Sequence, residues 1–494
     1  MILIFSYLRV VLLALRIEIS LQGNTAKFRI HTVNIVKAFP VFPGVLLFGL
    51  ATLHVQAAVV FTNLVLFNQT NGAFPKAGLI QGRDGNFYGT TASGGPDGGG
   101  TVFQMTSLGT LANLISFNNT NGAGPSAGLV QGVDGNFYGT TYNGGSNNFG
   151  TVFQLTTNGA LTTLVTLAFG DGPGAYPKAG LIQGQDGNFY GTTAFAGTNS
   201  GGTAFQVMTN KTLTTLVSFN ISGNGGNSPY AGLVQGNDGS LYGTTYQGGT
   251  NGHGTIFKLT TNGTFTPLYS FTGTNDGGNP YAGLMQGSDG NFYGTTFYGG
   301  TNNYGTIFKL ATNGTLATLV SFGKTNGAYP QAGLVQGSDG NFYGTTSAGG
   351  AYTNLSGLGY GTVFKLGTNG TLTTLVSFDG TNGSSPEAGL IQGADGNFYG
   401  TTTLGGTNGY GTVFRLSVIV PPPNFLTVEE TGATLTLTWS ATVGQNYQML
   451  FKTNLDQTIW NNLNSSITAT NPIMTTFDAT GPDPQRFYRI LLLP

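Results

Sequence analysis

Between Ala282 and Phe322 the chain alternates short apolar runs with polar stretches rich in glycine. Four runs are strand-sized: Ala282–Gln286, Asn291–Thr296, Thr306–Leu310 and Thr315–Phe322. Short runs of β-branched and aromatic residues bounded by Gly, Asn and Asp read as strands. The first two are joined through Ser288-Asp289-Gly290, the last two through Thr312-Asn313-Gly314. Asp-Gly and Asn-Gly steps between apolar runs signal tight hairpins, with positive φ expected at both central residues. The other two connections are longer and carry Gly, Asn and Thr. Four antiparallel strands with alternating short and long connections put both tight turns on one face and both long loops on the other.

The same pattern recurs. A block reading Pro-x-Ala-Gly-Leu-(Ile/Val/Met)-Gln-Gly-x-Asp-Gly-(Asn/Ser)-(Phe/Leu)-Tyr-Gly-Thr-Thr occurs seven times, with its aspartates at Asp84, Asp134, Asp186, Asp238, Asp289, Asp339 and Asp395. Successive copies therefore lie 50, 52, 52, 51, 50 and 56 residues apart. A period of this size containing four strands is one propeller blade. The expected fold is all-β: a seven-bladed β-propeller over residues 59–416, followed by a small β-sandwich. The last unit has its first three strands, ending at Thr412–Leu416, but no fourth. An orphan strand of the missing type, Val59–Phe67, precedes the first unit and is expected to close the ring, removing its free edges. A β-solenoid is the alternative, but it does not require matching seams. Ala-Gly in every innermost strand suits the crowding of backbones at an axis. Outer strands such as Leu316–Phe322 carry apolar residues on both sides, so burial on both faces is expected.

Composition narrows the function. Only 7% of residues are charged and the net charge is −1. No basic face is available for a phosphate backbone, which argues against nucleic-acid binding. The chain has no cysteine, so disulfides, zinc-thiolate sites and cysteine nucleophiles are excluded. Residues 1–58 read as a leader. From Val33 a single cation, Lys37, precedes an apolar core through Leu53 and a small-residue cleavage site with Val55 and Ala57 at the −3 and −1 positions. The apolar stretch Met1–Leu15, broken by Arg9, is short for a membrane span. We expect translation to start near Val33 and the product to be secreted or placed at the cell surface.

The Asp-Gly-Asn-Phe-Tyr-Gly-Thr-Thr core and the Gly-Thr-Val-Phe-Lys-Leu strand resemble the GloVer tandem repeat family of exported bacterial proteins. That resemblance covers about residues 59–416 and implies export, with no established activity. Some members end in a sorting tail with a membrane helix. This chain has no such tail, so no stable carboxyl-terminal anchor is expected. The Gly-Asn-Phe-Tyr-Gly-Thr-Thr strand is similar, more distantly, to a strand of sensor and lyase propellers. After a Pro-rich linker at 417–424, residues 425–494 show strands at Thr434–Trp439, Tyr447–Lys452 and Phe487–Leu493. They resemble a fibronectin-type-III or immunoglobulin-like sandwich, with Trp439 and Trp460 expected in its core.

Catalytic groups are scarce. Beyond the leader only His253 remains, in a loop where other copies place Gly or an aromatic ring. The lyase propellers use histidine and acidic metal ligands, so their activity does not transfer. The seven motif aspartates stand one per blade and are expected to hold their hairpins; Asp-Gly-Asn lacks the further acidic ligands of a calcium loop. Asp97, Asp171, Asp276, Asp379 and Glu387 fall on the long-loop face, where a carboxylate pair would support a polysaccharide lyase or hydrolase. The repeated glutamines, Gln81 to Gln392, are expected to bond the neighbouring blade, and the repeated Phe-Tyr pairs to pack between blades.

What differs between copies points to a ligand. The residue after the motif proline is Lys76, Ser126, Lys178, Tyr230, Tyr281, Gln331 or Glu387. The loops after the second strand carry Tyr142, Phe195, Tyr246, Phe297 and Tyr298 among Gly, Asn and Thr. The sixth such loop, Ser347 to Gly361, has fifteen residues against nine for Phe297–Gly305, and adds Tyr352, Asn354, Leu355 and Tyr360. Rings beside amides and hydroxyls suit sugars, whose CH faces stack while their hydroxyls hydrogen-bond. The expectation is a monomeric, non-catalytic, exported module without cofactor or metal, binding a polysaccharide or a cell-surface protein.

Overall fold

The computed structural model describes residues 58–170, 172–208, 210–419, 422–431, 434–442, 445–454, 456–479 and 486–493, with the backbone of the earlier strands Arg16–Gln22, Thr25–His31 and Val36–Ala38. Apart from those three strands, the leader and its cleavage site lie outside the described residues. The chain divides into two compact units, Val59–Val418 and a second comprising Met1–Ala58 with Ile419–Pro494. Among the described residues no helix is long and apolar enough to cross a membrane.

The first unit is built of four-stranded antiparallel sheets, one per repeat, seven in all. In the fifth repeat the strands are Met285–Gln286, Phe292–Thr296, Thr306–Leu310 and Leu316–Ser321. The seventh sheet joins Ile391–Gln392, Phe398–Thr402 and Thr412–Ile419 to Ala58–Leu66, the orphan strand from the amino-terminal side.

Four sets of contacts link each sheet to the next, and each set also links the seventh to the first. The motif glutamine sends its Nε2 to its own turn and receives on Oε1 a backbone N–H from the preceding repeat: Arg83 donates to Gln131 at 3.0 Å, and Ala394 donates to Gln81 at 2.9 Å. The first motif threonine donates to the alanine carbonyl of the following inner strand, Thr90 to Ala127 and finally Thr401 to Ala77. Tyrosine of one sheet lies over phenylalanine of the next, with centroids 4.1 Å apart for Tyr88–Phe137 and 4.0 Å for Tyr399–Phe87. In the fourth sheet Leu241 takes the phenylalanine's place against Tyr190. At the innermost segments a Cβ on Gly128 would stand 3.3 Å from the Gly78 carbonyl oxygen, and one on Gly78 3.2 Å from that of Gly389. Only glycine lets seven backbones meet there. The apolar clusters lie between sheets: Tyr88, Val102 and Phe117 pack with Leu129, Phe137 and Phe153, and Val65, Phe67 and Tyr399 pack with Leu79, Phe87 and Phe103.

Three expectations need correction. The inner strand is two residues long, not five, because Ala-Gly packs against neighbouring glycines at the centre and leaves the ladder. In the Asp-Gly turn only glycine has positive φ, 82° at Gly85. The bonds from Gly85 N–H to Gly82 O and from Gly82 N–H to Asn86 O describe a type I turn closed by a left-handed glycine. The fourth strand is half-wet: Leu316–Ser321 is intermediate or exposed throughout, whereas Phe292–Thr296 is buried. Its consecutive apolar pair reflects a bulge. The register shifts between Ile307 and Phe308, leaving Leu319 as the extra residue. Leu319 and Val320 then pack against the same cluster rather than on opposite faces.

Among the described residues the second unit contains the hairpin Arg16–Gln22 with Thr25–His31 and two larger sheets. Phe425–Thr431, Thr434–Ser440 and Ile473–Ala479 form one; Arg486–Leu492 and Asn446–Lys452 centre the other, which also takes in Val36–Ala38. Trp439, Leu437, Tyr447, Met449 and Tyr488 fill the space between them. Trp460 does not join that core. It is half-buried between two cations, Lys452 Nζ at 4.8 Å and Arg489 Cζ at 4.7 Å from its ring, where its face serves their charges.

Candidate functional site

Each repeat sends three side-chain positions to the long-loop end of the inner strands: the residues before and after the motif proline, and the residue following Thr-Thr. The one before the proline is left-handed in all seven repeats, with φ of 57° at Phe74, 61° at Gly124, 58° at Tyr176, 55° at Ser228, Asn279 and Tyr329, and 51° at Ser385. A side chain in this conformation costs roughly 1–2 kcal/mol. Its two backbone hydrogen bonds hold it there. Tyr176 N–H donates to Phe149 O of the preceding repeat, and Tyr176 O accepts from Ala194 N–H of its own. The loops are thereby tied between neighbouring repeats, which fixes where their side chains project.

The residues after the prolines converge. Lys76, Ser126, Lys178, Tyr230, Tyr281, Gln331 and Glu387, together with Tyr142 and the Ala-Gly pairs, line one cavity of about 490 Å³. Lys178 Nζ sits 3.7 Å above the ring of Tyr230 and 5.6 Å from that of Tyr281. Burial, reinforced by the charge of Lys76, pulls the Lys178 ammonium below its ordinary pKa. Burial raises the Glu387 carboxyl, with Lys76 opposing it. Tyr281 is pushed up to about 12 by burial first and by Glu387 second.

Beside the cavity runs an unbroken series of ring contacts. Tyr142 lies 5.1 Å from Tyr176, Tyr176 6.2 Å from Phe195, Phe195 6.2 Å from Tyr230, and Tyr230 4.8 Å from Tyr246, which it stacks upon. Tyr246 meets Tyr281 at 5.8 Å, Tyr281 meets Phe297 at 6.2 Å, and Phe297 meets Tyr298 at 4.6 Å and Tyr329 at 5.1 Å. Five of the loop residues singled out by sequence, Tyr142, Phe195, Tyr246, Phe297 and Tyr298, therefore belong to one arc. The seventh and first repeats place Thr403, Leu404, Ala92 and Ser93 at the corresponding positions.

The other four stand apart from that arc. In the sixth loop Tyr352 is 51% exposed and Leu355 is fully exposed. Asn354 spends its amide within the loop, donating to Gly359 O at 2.7 Å and accepting from Leu358 N–H at 3.1 Å. Tyr360 is half-buried against the cluster containing Phe378. Of the loop acids, Asp276 accepts from Tyr269 and from Thr272 N–H, and Asp379 accepts from Thr381 N–H and Asn382 N–H, each within its own neighbourhood. Asp171 lies outside the described residues. Glu387 is the one carboxylate lining the cavity. Among the described residues no group of three or more His, Cys, Asp or Glu is arranged to hold a metal ion.

Two things escape a reading of the sequence. Tyr176 and Tyr329 precede their prolines, where proline normally disfavours helical backbone, and nothing local announces a left-handed residue. The residues after the prolines are visibly variable, but that side chains about fifty positions apart share one cavity follows only once the sheets are arranged.

The profile of the Gloeobacter/Verrucomicrobia repeat matches residues 51–184, 130–280, 164–356 and 237–465. No curated protein matches the chain. Among solved structures, a lectin from Burkholderia pseudomallei is similar at 11% identity and TM-score 0.44, over 70% of this chain and 99% of its own. The periplasmic gluconolactonase of Pseudomonas aeruginosa is similar at 13% identity and TM-score 0.39, over 80% and 99%. A fungal alcohol oxidase solved with copper is similar at 13% identity and TM-score 0.44, over 87% and 92%. Likeness of this depth bears on neither ligand nor activity.

Proposed function

The chain belongs to the Gloeobacter/Verrucomicrobia repeat family, and we propose that it is an exported, closed seven-bladed propeller that binds a polysaccharide on its long-loop face without transforming it. The contacts that join the seventh sheet to the first support the ring, and the signal-like segment at 33–57 supports export. The small sandwich is read as a fibronectin-type-III-like companion module. One observation carries the functional reading: the arc of aromatic rings bordering a polar cavity. Rings in a continuous path offer stacking surface to successive sugar units, and their hydroxyls reach the edges of those units. Such anchors are worth about 1–3 kcal/mol each.

A glycan array on the full chain tests this. Saccharide binding that weakens about tenfold or more in Phe297→Ala or Tyr246→Ala is the expected result, with thermal unfolding showing both variants folded. Binding to no saccharide, or binding indifferent to both changes, would refute it. A second reading draws on Glu387 and Lys178, an acid and an amine in one cavity with their pKa values pushed toward each other. It requires turnover of the bound saccharide, visible as new reducing ends or unsaturated products.

A further inference from the structure

The wall of the cavity is chemically one-sided. Each inner segment offers Ala and Gly to the centre, so the residues after the prolines, with Tyr142, supply the side chains that reach into the cavity. Around the axis, Tyr230 and Tyr281 adjoin on one side, and Glu387 adjoins Lys76 across from them. A structural plug would be apolar and would fill the space; here about 490 Å³ stays open and no aliphatic side chain larger than alanine lines it. Two ammonium groups face one carboxylate, leaving an excess positive charge. Among the described residues neither Lys76 nor Lys178 has an ion-pair partner, and the strongest contact of Lys178 is a tyrosine face. Lys178 is half-buried without an ion-pair partner and so poorly solvated, and an anion entering the cavity would restore what it lacks; Lys76 stands exposed on the same wall.

We propose that this cavity binds a carboxylated sugar, a uronate unit, its carboxylate held by Lys178 and Lys76 and its ring against Tyr230 and Tyr281. Gln331 and Ser126 then stand where ring hydroxyls need an amide and a hydroxyl. Glu387 faces the ligand's remaining hydroxyls and opposes a second negative charge, which favours one acid group per bound unit. The depressed pKa of Lys178 agrees with a cation short of partners. The proposal rests on the saccharide-binding reading above, placing an acidic terminal unit in the cavity while neutral units occupy the arc outside it.

Calorimetric titration of the full chain with trigalacturonate, a galactose trisaccharide and inorganic phosphate tests the assignment. Trigalacturonate is expected to bind at least tenfold more tightly than the neutral trisaccharide, with phosphate far weaker than either. Lys178→Gln should weaken the acid's binding at least tenfold and so remove that preference; Lys178→Arg should keep most of it; Glu387→Gln should strengthen binding of the acid. Ser126→Trp, which fills the cavity, should abolish the preference with thermal stability retained. Equal affinity for acid and neutral sugars, or a preference that survives Lys178→Gln, overturns the proposal while leaving saccharide binding in place. Phosphate competing as well as the uronate reduces the cavity to a general anion hole and overturns the sugar assignment. Binding of no saccharide at all removes both readings together.

Discussion

The two faces of the repeat unit follow opposite rules. On the tight-turn face the copies use nearly the same residues for the same bonds, with Ser240 standing for asparagine in the fourth. Asp84 accepts from Asn86 N–H, Asn86 Nδ2 and the Tyr88 hydroxyl, and Asp395 accepts from Asn397 and Tyr399 in the same way. A third-strand Gln104, Lys309 or Lys365 completes the hub in its own repeat. On the long-loop face the backbone is equally regular, left-handed before each proline, yet the side chains it carries range from glycine to tyrosine and from lysine to glutamate. One face spends its sequence on fixing its turns and the other is free to vary because the residues it varies are held by backbone bonds and by threonines outside the variable positions. Changes on the first face should therefore cost stability, and changes on the second should cost binding.

Removing the joint altogether is the most severe way to test that division. Deleting residues 58–66 takes the fourth strand from the seventh sheet, exposes the edge of Thr412–Ile419, removes Val65 and uncovers the cluster of Phe67, Phe87 and Phe103. An unpaired apolar edge templates aggregation, so loss of soluble protein and of cooperative melting is expected. A soluble variant with unchanged melting temperature would contradict the seam.

A single hub should cost less. Asp339 is the most enclosed of the motif aspartates; it accepts from Tyr343 at 2.8 Å, Asn341 Nδ2 at 2.7 Å and Lys365 at 3.0 Å. Asp339→Ala leaves these donors unpaired and should lower stability by about 2–3 kcal/mol in denaturant unfolding. A loss under about 0.5 kcal/mol would mean that the turn holds without its hub.

The hubs also set an acid limit. Burial alone would raise each motif aspartate, but the donors around it outweigh burial and bring all seven below the ordinary range, Asp238 to about 2. A carboxyl with a depressed folded-state pKa contributes stability that is present above its unfolded pKa, about 3.9, and is lost as pH falls through the folded value. The melting temperature should hold down to about pH 4 and decline toward pH 2, and Asp238→Asn should make that decline shallower. A flat profile across this window would remove the hubs from the stability of the fold.

The smallest effect on stability belongs to the variable face. Replacing both Tyr352 and Leu355 by Ser in the sixth loop should leave the melting temperature nearly unchanged, because both side chains are exposed. Loops of unusual length are kept most readily where they touch something, so affinity for a long saccharide should fall by about 1–3 kcal/mol. Lost stability with affinity intact would reassign the insertion to the fold.

Much of the uniform face was legible in the sequence because its signals are local and repeated. The fifty-residue period, the hairpin glycines, the bonding glutamines and the partner of the orphan strand all follow from what every copy shares. The half-wet outer strand was not, since Leu319-Val320 reads as two faces until the bulge turns both inward. The candidate site was legible only in its loop half. Tyr142, Tyr246 and Phe297 announce themselves as rings among polar residues, whereas Tyr176 and Tyr329 complete the arc from a backbone conformation that no short motif encodes.

The position after each proline has a meaning beyond the proposed ligand. Because Ala-Gly beneath it and the hydrogen bonds around it are the same in every copy, each of the seven sites is an address on a common chassis, coupled to its neighbours only through side chains such as Lys178 and Tyr230. The present word reads Lys-Ser-Lys-Tyr-Tyr-Gln-Glu. Exchanging whole repeats would rewrite it letter by letter, and a library randomised at these seven codons would sample new cavity surfaces while every member inherits the same sheets.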